Sequence, residues 1–361
     1  MIAGITIVLV IGGLIFFHEL GHFLVARAFG VGVSKFSLGL GPRLFGITRG
    51  KTHYQLAAIP LGGYVMLVGE QEGEKLPENF TAEESFSEHP TWQKLLIVAA
   101  GPVFNLLLAW FIAWGLFWYH GETLVLPEIG TVQKDSPAET AGLLPGDLIL
   151  QIDGQTVDSW EKITPLIYGS KGEPLDVQVN RKTSLGDEIL NFSITPVQRE
   201  MPNVIGRTFE NWVIGISPPK KLTLQTHSFG LFGSAAMGAQ KVWGYVAAIG
   251  DFLKDAVTLQ VQADSLVGPI GMGQLIGISA ERGLSSVLEL TLFISINLAI
   301  LNLLPIPMLD GGHIVFFLVE MATGRKLPDK LKEMALRVGL LLLLSLMGLA
   351  LFNDFLGLLR G

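Results

Sequence analysis

His18-Glu19-Leu20-Gly21-His22 puts three ionisable side chains into a stretch, Ile2 to Ala26, that is otherwise almost unbroken Ile, Val, Leu, Phe, Ala and Gly. At bilayer depth each such group costs about 2.5–3.5 kcal/mol on insertion scales, so groups of this kind mark function. On a helix, positions i and i+4 share one face, with Cβ atoms about 5–6 Å apart. The spacing therefore predicts that His18 and His22 grip one zinc ion between their imidazoles. Glu19 stands between them as the general base of a hydrolysis.

Two histidines leave a catalytic zinc short of a third protein ligand. The chain has no cysteine, so the missing donor must be nitrogen or oxygen. The segment Asn302-Leu-Leu-Pro305-Ile-Pro307-Met-Leu309-Asp310-Gly311-Gly312 is the expected source. Pro305 and Pro307 break an apolar helix and free carbonyls that protein or cavity water must satisfy. Asp310 lies just past the break without a basic partner in its segment, and zinc would supply the missing cation. His313 is a second candidate, and a helix-cap role is the structural alternative for Asp310.

These residues need elements to hold them, and the composition says where those elements lie. Of 361 residues 49% are hydrophobic and 16% charged, which favours a multi-pass membrane protein over a soluble one. A net charge of −7 and the lack of a dense Lys/Arg tract argue against nucleic acid as a partner. Besides the first span, which lacks the basic start of a cleaved signal, Trp92–Tyr119, Val287–Leu304 and Val338–Phe355 are long enough to cross a lipid core of about 30 Å. Arg27, Lys35, Arg43, Arg49 and Lys51 follow the first span, while Arg325, Lys326, Lys330 and Lys332 precede the last. The positive-inside rule puts both loops in the cytoplasm, and both termini and the long central segment outside.

Between the first two spans, residues 33–40, 44–47, 54–59 and 64–68 read as short strands. They form either a β-structure dipping into the membrane beside the first helix or a small cytoplasmic sheet. Residues 70–92 read as a polar, acidic linker. Residues 126–200 read as a compact β-rich domain, with a short helix entered at Ser136-Pro137 and a strand ending at Asp153-Gly154. The run Ile129-Gly130-Thr131-Val132, Ala141-Gly142-Leu143, Gly146-Asp147-Leu148-Ile149 resembles a bacterial PDZ domain. Such a domain implies an extended peptide C-terminus as partner; a β-sandwich without peptide binding is the alternative. Phe229 to Leu253 carries apolar residues at helical spacing and fits either the membrane interface or an ordinary packed helix. The Gly-rich stretch 265–277 has no evident role.

The H-E-x-x-H helix, Gly101-Pro102 to Asn105 at the second span, the PDZ-like region and the N-x-x-P-x-P-x-x-D-G-G segment together resemble the site-2 protease family of intramembrane zinc metalloproteases, in its bacterial sigma-E-regulating branch. The resemblance covers nearly the whole chain. It implies one zinc ion on His18, His22 and Asp310, Glu19 as catalytic residue, and Asn302 as a substrate-binding residue. It also favours the membrane-inserted form of residues 33–70. Its substrates would be single-span membrane proteins, such as an anti-sigma factor already trimmed elsewhere or a remnant signal peptide, cleaved in the cell inner membrane with the PDZ domain on the periplasmic side. One PDZ-like segment, where tandem pairs are common in that branch, is a departure.

The expected fold is thus a multi-pass α-helical membrane protein of four transmembrane helices, with membrane-associated β structure and an inserted extracytoplasmic PDZ-like β-rich domain. The parts are 1–27, the first helix with the zinc motif; 28–91, the β region and linker; 92–120, the second helix; 121–204, the PDZ-like domain; 205–284, a linker with an amphipathic helix; 285–323, a broken third span; and 324–361, the fourth. A helical substrate must unwind to be cut, and an edge strand at Tyr64, Val65 and Met66 is expected to hold it extended. Two other functions compete: a non-catalytic membrane adaptor built on the PDZ-like domain, and metal transport. The presence of Glu19 beside three ligand candidates speaks against the first, and the lack of internal repeats against the second.

Overall fold

The computed structural model describes residues 2–70, 75–184, 186–202, 208–257 and 268–360. Two compact units emerge: Met1–Phe117 with Leu231–Gly361, and Trp118–Gly230 inserted between them.

The first unit opens with α1 (Ile2–Ala28), proline-free and apolar. At 1.5 Å per residue it is about 40 Å long, more than a lipid core requires. Next comes a hairpin, β1 (Val33–Arg49) and β2 (Thr52–Leu67), reversed at Gly50, whose φ of 62° suits a residue without Cβ. Each runs continuously along the chain, but the pairing divides them into the four short strands expected over 33–68: residues 33–38 lie between 63–67 on one side and 53–56 on the other, and 52–57 pair in turn with 43–49. Gly39 and Gly41-Pro42 separate 33–38 from 43–49, and residues 60–62 separate 52–59 from 63–67. Two single 3₁₀ turns at 82–84 and 86–88 punctuate the expected linker, of which residues 71–74 lie outside the described residues. After them α2 (Thr91–His120) buries Ile97, Gly101, Asn105, Ala109, Ala113 and Phe117, one residue per turn. That stripe is mostly small side chains, which lets neighbouring helices approach closely.

The inserted unit holds β3 (Glu122–Val125), β4 (Thr131–Val132), α3 (Pro137–Ala141), β5 (Leu148–Ile152), β6 (Gln155–Thr156), α4 (Ile163–Gly169), β7 (Leu175–Thr183), β8 (Gly186–Ile194), β9 (Val197–Pro202), β10 (Thr208–Val213), β11 (Ile216–Ser217) and β12 (Leu224–His227). Strands β6-β5-β7-β8 form an antiparallel sheet. Leu175, Val177 and Val179 alternate inward against Ile149, Ile152, Ile163 and Ile214. Ser136 caps α3 by accepting the Glu139 amide, and Asp153 follows β5, as the sequence suggests. The buried Asp147 carboxylate accepts both Nε and Nη2 of Arg181 at 2.7 Å and the Leu144 amide at 2.9 Å. The domain extends beyond residue 204. Strand β11 pairs with β4 and β12 with β3, so residues assigned to a linker close the β-unit. The expected boundary at 204–205 itself falls outside the described residues.

The chain then returns to the first unit as α5 (Leu231–Val257), α6 (Pro269–Arg282), α7 (Leu284–Leu303), α8 (Asp310–Thr323) and α9 (Asp329–Arg360). Helix α7 buries Leu292 and Ile296 against Ala109 and Ala113 of α2, with Val242 and Val246 of α5 alongside. Ile276 of α6 packs on Val10 and Leu14 of α1. The Gly-rich stretch acquires a role here, though its residues 265–267 lie outside the described ones. The Asp354 carboxylate of α9 accepts the amides of Gly268 and Ile270 at 2.9 Å and of Gly271 at 3.1 Å, capping the start of α6. A Cβ at Gly268 would collide with that carboxylate.

Among the described residues, four helices are long and apolar enough to cross a membrane: Ala3–Ala28, Thr91–His120, Leu284–Leu303 and Lys330–Phe355. The expected spans are all present, and the last begins earlier than Val338. The break expected after Leu304 is a non-helical turn through Pro305 and Pro307, after which α8 starts at Asp310.

Candidate metal centre

Because α1 runs unbroken through 18–22, the imidazoles of His18 and His22 stand one above the other, ring centroids 4.8 Å apart and nearly perpendicular. The space they occupy is cut out of α2. A Cβ on Gly101 would overlap Nε2 and Cε1 of His22 and lie 2.8 Å from Cε1 of His18. Gly21 likewise lets α1 touch the Ala100 carbonyl. The Nδ1 atom of His22 is 2.8 Å from the Ile97 carbonyl. A carbonyl only accepts, so Nδ1 carries the hydrogen and Nε2 presents a lone pair.

Asp310 arrives from the far end of the chain. The proline-broken turn directs the first residue of α8 back toward α1, with Met308 in a left-handed conformation at φ 92°. Gly311 and Gly312 are buried where any side chain would strike the backbone of Leu303, Leu304 and Ile306. Three separations result: His18 Nε2 to His22 Nε2, 3.2 Å; His18 Nε2 to Asp310 Oδ2, 3.2 Å; His22 Nε2 to Asp310 Oδ1, 3.6 Å. A tetrahedral ion with bonds of roughly 2.0–2.1 Å sets its ligand atoms about 3.3–3.4 Å apart. Among the described residues, Asp310 Oδ2 is buried with no hydrogen-bond donor aimed at it. Lone pairs of two imidazoles and a carboxylate converging on one point repel unless a cation sits between them. The donor set fits zinc, and the cap role weighed for Asp310 is not what the geometry shows.

Glu19 adjoins the cluster. Strand β2 passes over it at Gly63, whose absent side chain would have met Glu19 Cγ at 3.2 Å and Ile15 Cγ2 at 2.8 Å. The Val65 amide faces the carboxylate. His18, Glu19, His22, Tyr64, Val65, Met308, Asp310 and His313 line a cavity of about 400 Å³. Its lining also includes the polar and charged residues Glu70, Ser87, Lys94, Glu320, Lys326 and Lys332.

Most of the expected site residues meet in this place. His18, His22 and Asp310 form the one ligand cluster among the described residues, and His313 lines the cavity without joining it. Tyr64 and Val65 line the cavity, while Met66, paired with Lys35, does not. Asn302 is half-buried near the end of α7, outside the cavity lining. Sequence reasoning gave Asn105 and Gly101 no role of their own. Their signal was a small or polar residue one turn apart in an apolar span, on the face that α2 buries.

A glutamate beside a two-histidine, one-aspartate cluster, on a helix long enough to span a bilayer, defines a membrane metallopeptidase. The model of peptidase family M50 matches residues 6–346, and the chain belongs to that family, the site-2 proteases. It is 34% identical over 361 residues to a protein of Agrobacterium fabrum that bears the name of a zinc metalloprotease, covering 97% of this chain and 94% of the relative. A relative so named from Campylobacter jejuni is 39% identical, with 96% and 91% covered. One from Clostridium acetobutylicum is 32% identical, with 96% and 95% covered. The protein is a zinc metalloprotease of the membrane.

Proposed function

We propose that this protease cleaves transmembrane segments of single-span membrane proteins within the bilayer, its substrates including trimmed anti-sigma factors and remnant signal peptides. The observation that carries the reading is the placement of His18, Glu19 and His22 on a helix of spanning length, with Asp310 beside them in the lining of one cavity. Zinc held by His18, His22 and Asp310 would supply Lewis-acid polarisation of the scissile carbonyl and of the attacking water. The Glu19 carboxylate takes the proton of that water and returns it to the leaving amine. The edge of β2 at Tyr64 and Val65 pairs with an unwound substrate, since residues 63–67 pair with 33–38 on one side and, among the described residues, with no strand on the other. Asn302 would contact substrate only after a local rearrangement.

The exposed apolar side chains Leu44, Phe45 and Ile47 support a hairpin that dips into lipid, and Phe232 and Trp243 of α5 support contact with its surface. The inserted unit works as a PDZ domain on the periplasmic side of the inner membrane, with both termini on that side. It limits which substrates reach the cavity, by size or by capture of a new C-terminus.

The test is a panel of single-span reporters expressed with the parent or Glu19→Gln, with the cut site mapped. Cuts inside the reporter spans that vanish in the variant support the reading. Cuts only in flanking soluble segments overturn the intramembrane part. Reporter capture undiminished by Glu19→Gln, with no cut in either case, would favour the adaptor.

A further inference from the structure

The two zinc-binding imidazoles are not held alike. His22 donates Nδ1–H to the Ile97 carbonyl, which fixes its tautomer. His18 has as its Nδ1 neighbour the side-chain amide of Asn105, 3.2 Å away. Asn105 is fully buried in the α2 stripe, and its backbone carbonyl accepts the hydroxyl of the equally buried Ser295 of α7 at 2.7 Å. The amide is therefore fixed in place, and only its rotation about the last bond is open.

With Nδ2 against the ring, Asn105 would donate to Nδ1. His18 would then carry its hydrogen on Nε2, pointed at His22 Nε2 and Asp310, and could not ligate. That orientation also leaves Asn105 Oδ1 buried without a partner. A half-turn exchanges amide oxygen and nitrogen within the same volume. Either orientation leaves the far end of the amide without a described partner, so the choice is decided at the near end. There the zinc site requires a bare Nε2, and hence an acceptor at Nδ1.

We propose that Asn105 is a positioning residue whose side-chain carbonyl accepts the Nδ1–H of His18 and locks that ring in the tautomer that presents Nε2 to zinc. Helix α2 thus supports both ligands, His22 by the backbone carbonyl of Ile97 and His18 by the Asn105 side chain about two turns further on. The inference rests on the zinc site described above and not on the identity of any substrate.

The experiment measures zinc affinity of the purified full-length protein by competition with a chelator, and the visible spectrum of its cobalt(II) form. The variants are Asn105→Ala and Asn105→Asp. Loss of an acceptor behind a metal-bound histidine costs roughly 10–100-fold in affinity, so Asn105→Ala should weaken zinc by that factor and shift the cobalt bands. Asn105→Asp keeps an acceptor at Nδ1 and should stay within about threefold of the parent, with parent-like bands. Parent-like affinity in Asn105→Ala overturns the proposal. So does an Asn105→Asp variant that folds but binds zinc about 10-fold or more weakly than the parent, a comparison that does not need Asn105→Ala to fold. No substrate enters either measurement, so failure to find cleavage of single-span reporters leaves this result standing, and the reverse.

Discussion

His18 Nε2 and His22 Nε2 lie 3.2 Å apart, one turn from each other on α1, at the spacing of two corners of a zinc tetrahedron. Neither nitrogen can donate to the other and still ligate, so their closeness is stable only with a cation that both share. Asp310 supplies the third corner.

Asp310→Asn keeps the shape of the side chain and removes its charge. The zinc dissociation constant should rise by more than about 100-fold, because loss of a direct ligand exceeds the cost of losing a group behind one. Metal analysis after dialysis reads the result, and full occupancy would show that Asp310 is not a ligand. Chelation of the parent protein should abolish proteolysis, and added zinc should restore it.

Glu19→Gln removes the proton acceptor without touching a ligand. Cleavage should fall by about 10²–10⁴-fold, the usual contribution of general acid–base catalysis, while bound zinc stays equimolar. A single-turnover assay with metal quantitation separates the two effects. An unchanged rate removes Glu19 from the mechanism.

Gly101→Ala puts a methyl group where the two imidazoles stand. Overpacking of this kind costs about 1–3 kcal/mol, and here it also displaces ligands, so both thermal stability and zinc affinity should drop. Gly115 is the control: it lies on the same helix with open space at its Cβ position. Gly115→Ala should leave zinc binding unchanged and add up to about 1 kcal/mol through helix propensity.

Asp354→Ala strips three amide partners from the start of α6. A lost cap costs about 0.5–2 kcal/mol, and unfolding in detergent should show it. Hydrogen exchange should rise at Ile270 and Gly271 first, with zinc affinity unchanged. Protection that stays at the parent level would mean that α6 is held by its packing on α1 alone.

Arg181→Ala leaves the Asp147 carboxylate buried with only the Leu144 amide. Removal of one partner from a buried ion pair costs about 3–5 kcal/mol. The isolated 118–230 segment, if it folds, and the whole protein should both report it as a lowered unfolding midpoint of the β-unit, while the zinc site keeps its metal.

Local order in this molecule follows from its sequence because local order depends on spacing. The i, i+4 pair His18 and His22, the stop at Pro305 and Pro307, the cap at Ser136 and the four apolar runs each act within a turn or a span, and all appear where the residues place them. The β region was legible in part. Glycine and proline divide it into the four short segments expected, but that 33–38 pairs with both 63–67 and 53–56 is set by partners distant along the chain. The end of the β-unit was illegible for a related reason: β11 and β12 are short and gain their identity only from β4 and β3, far back in the chain.

By itself the sequence determined the chemistry: which donors exist, which base stands among them, and which helices lipid will accept. Tertiary structure alone decided how Asp310 is carried to the two imidazoles, that Gly101 makes room for the rings and that Asn105 faces His18. The physical reason is range. Helix period and hydrophobicity act over a few residues, whereas a metal site is fixed to within tenths of an ångström by how separate helices pack, and no spacing along the chain encodes that distance.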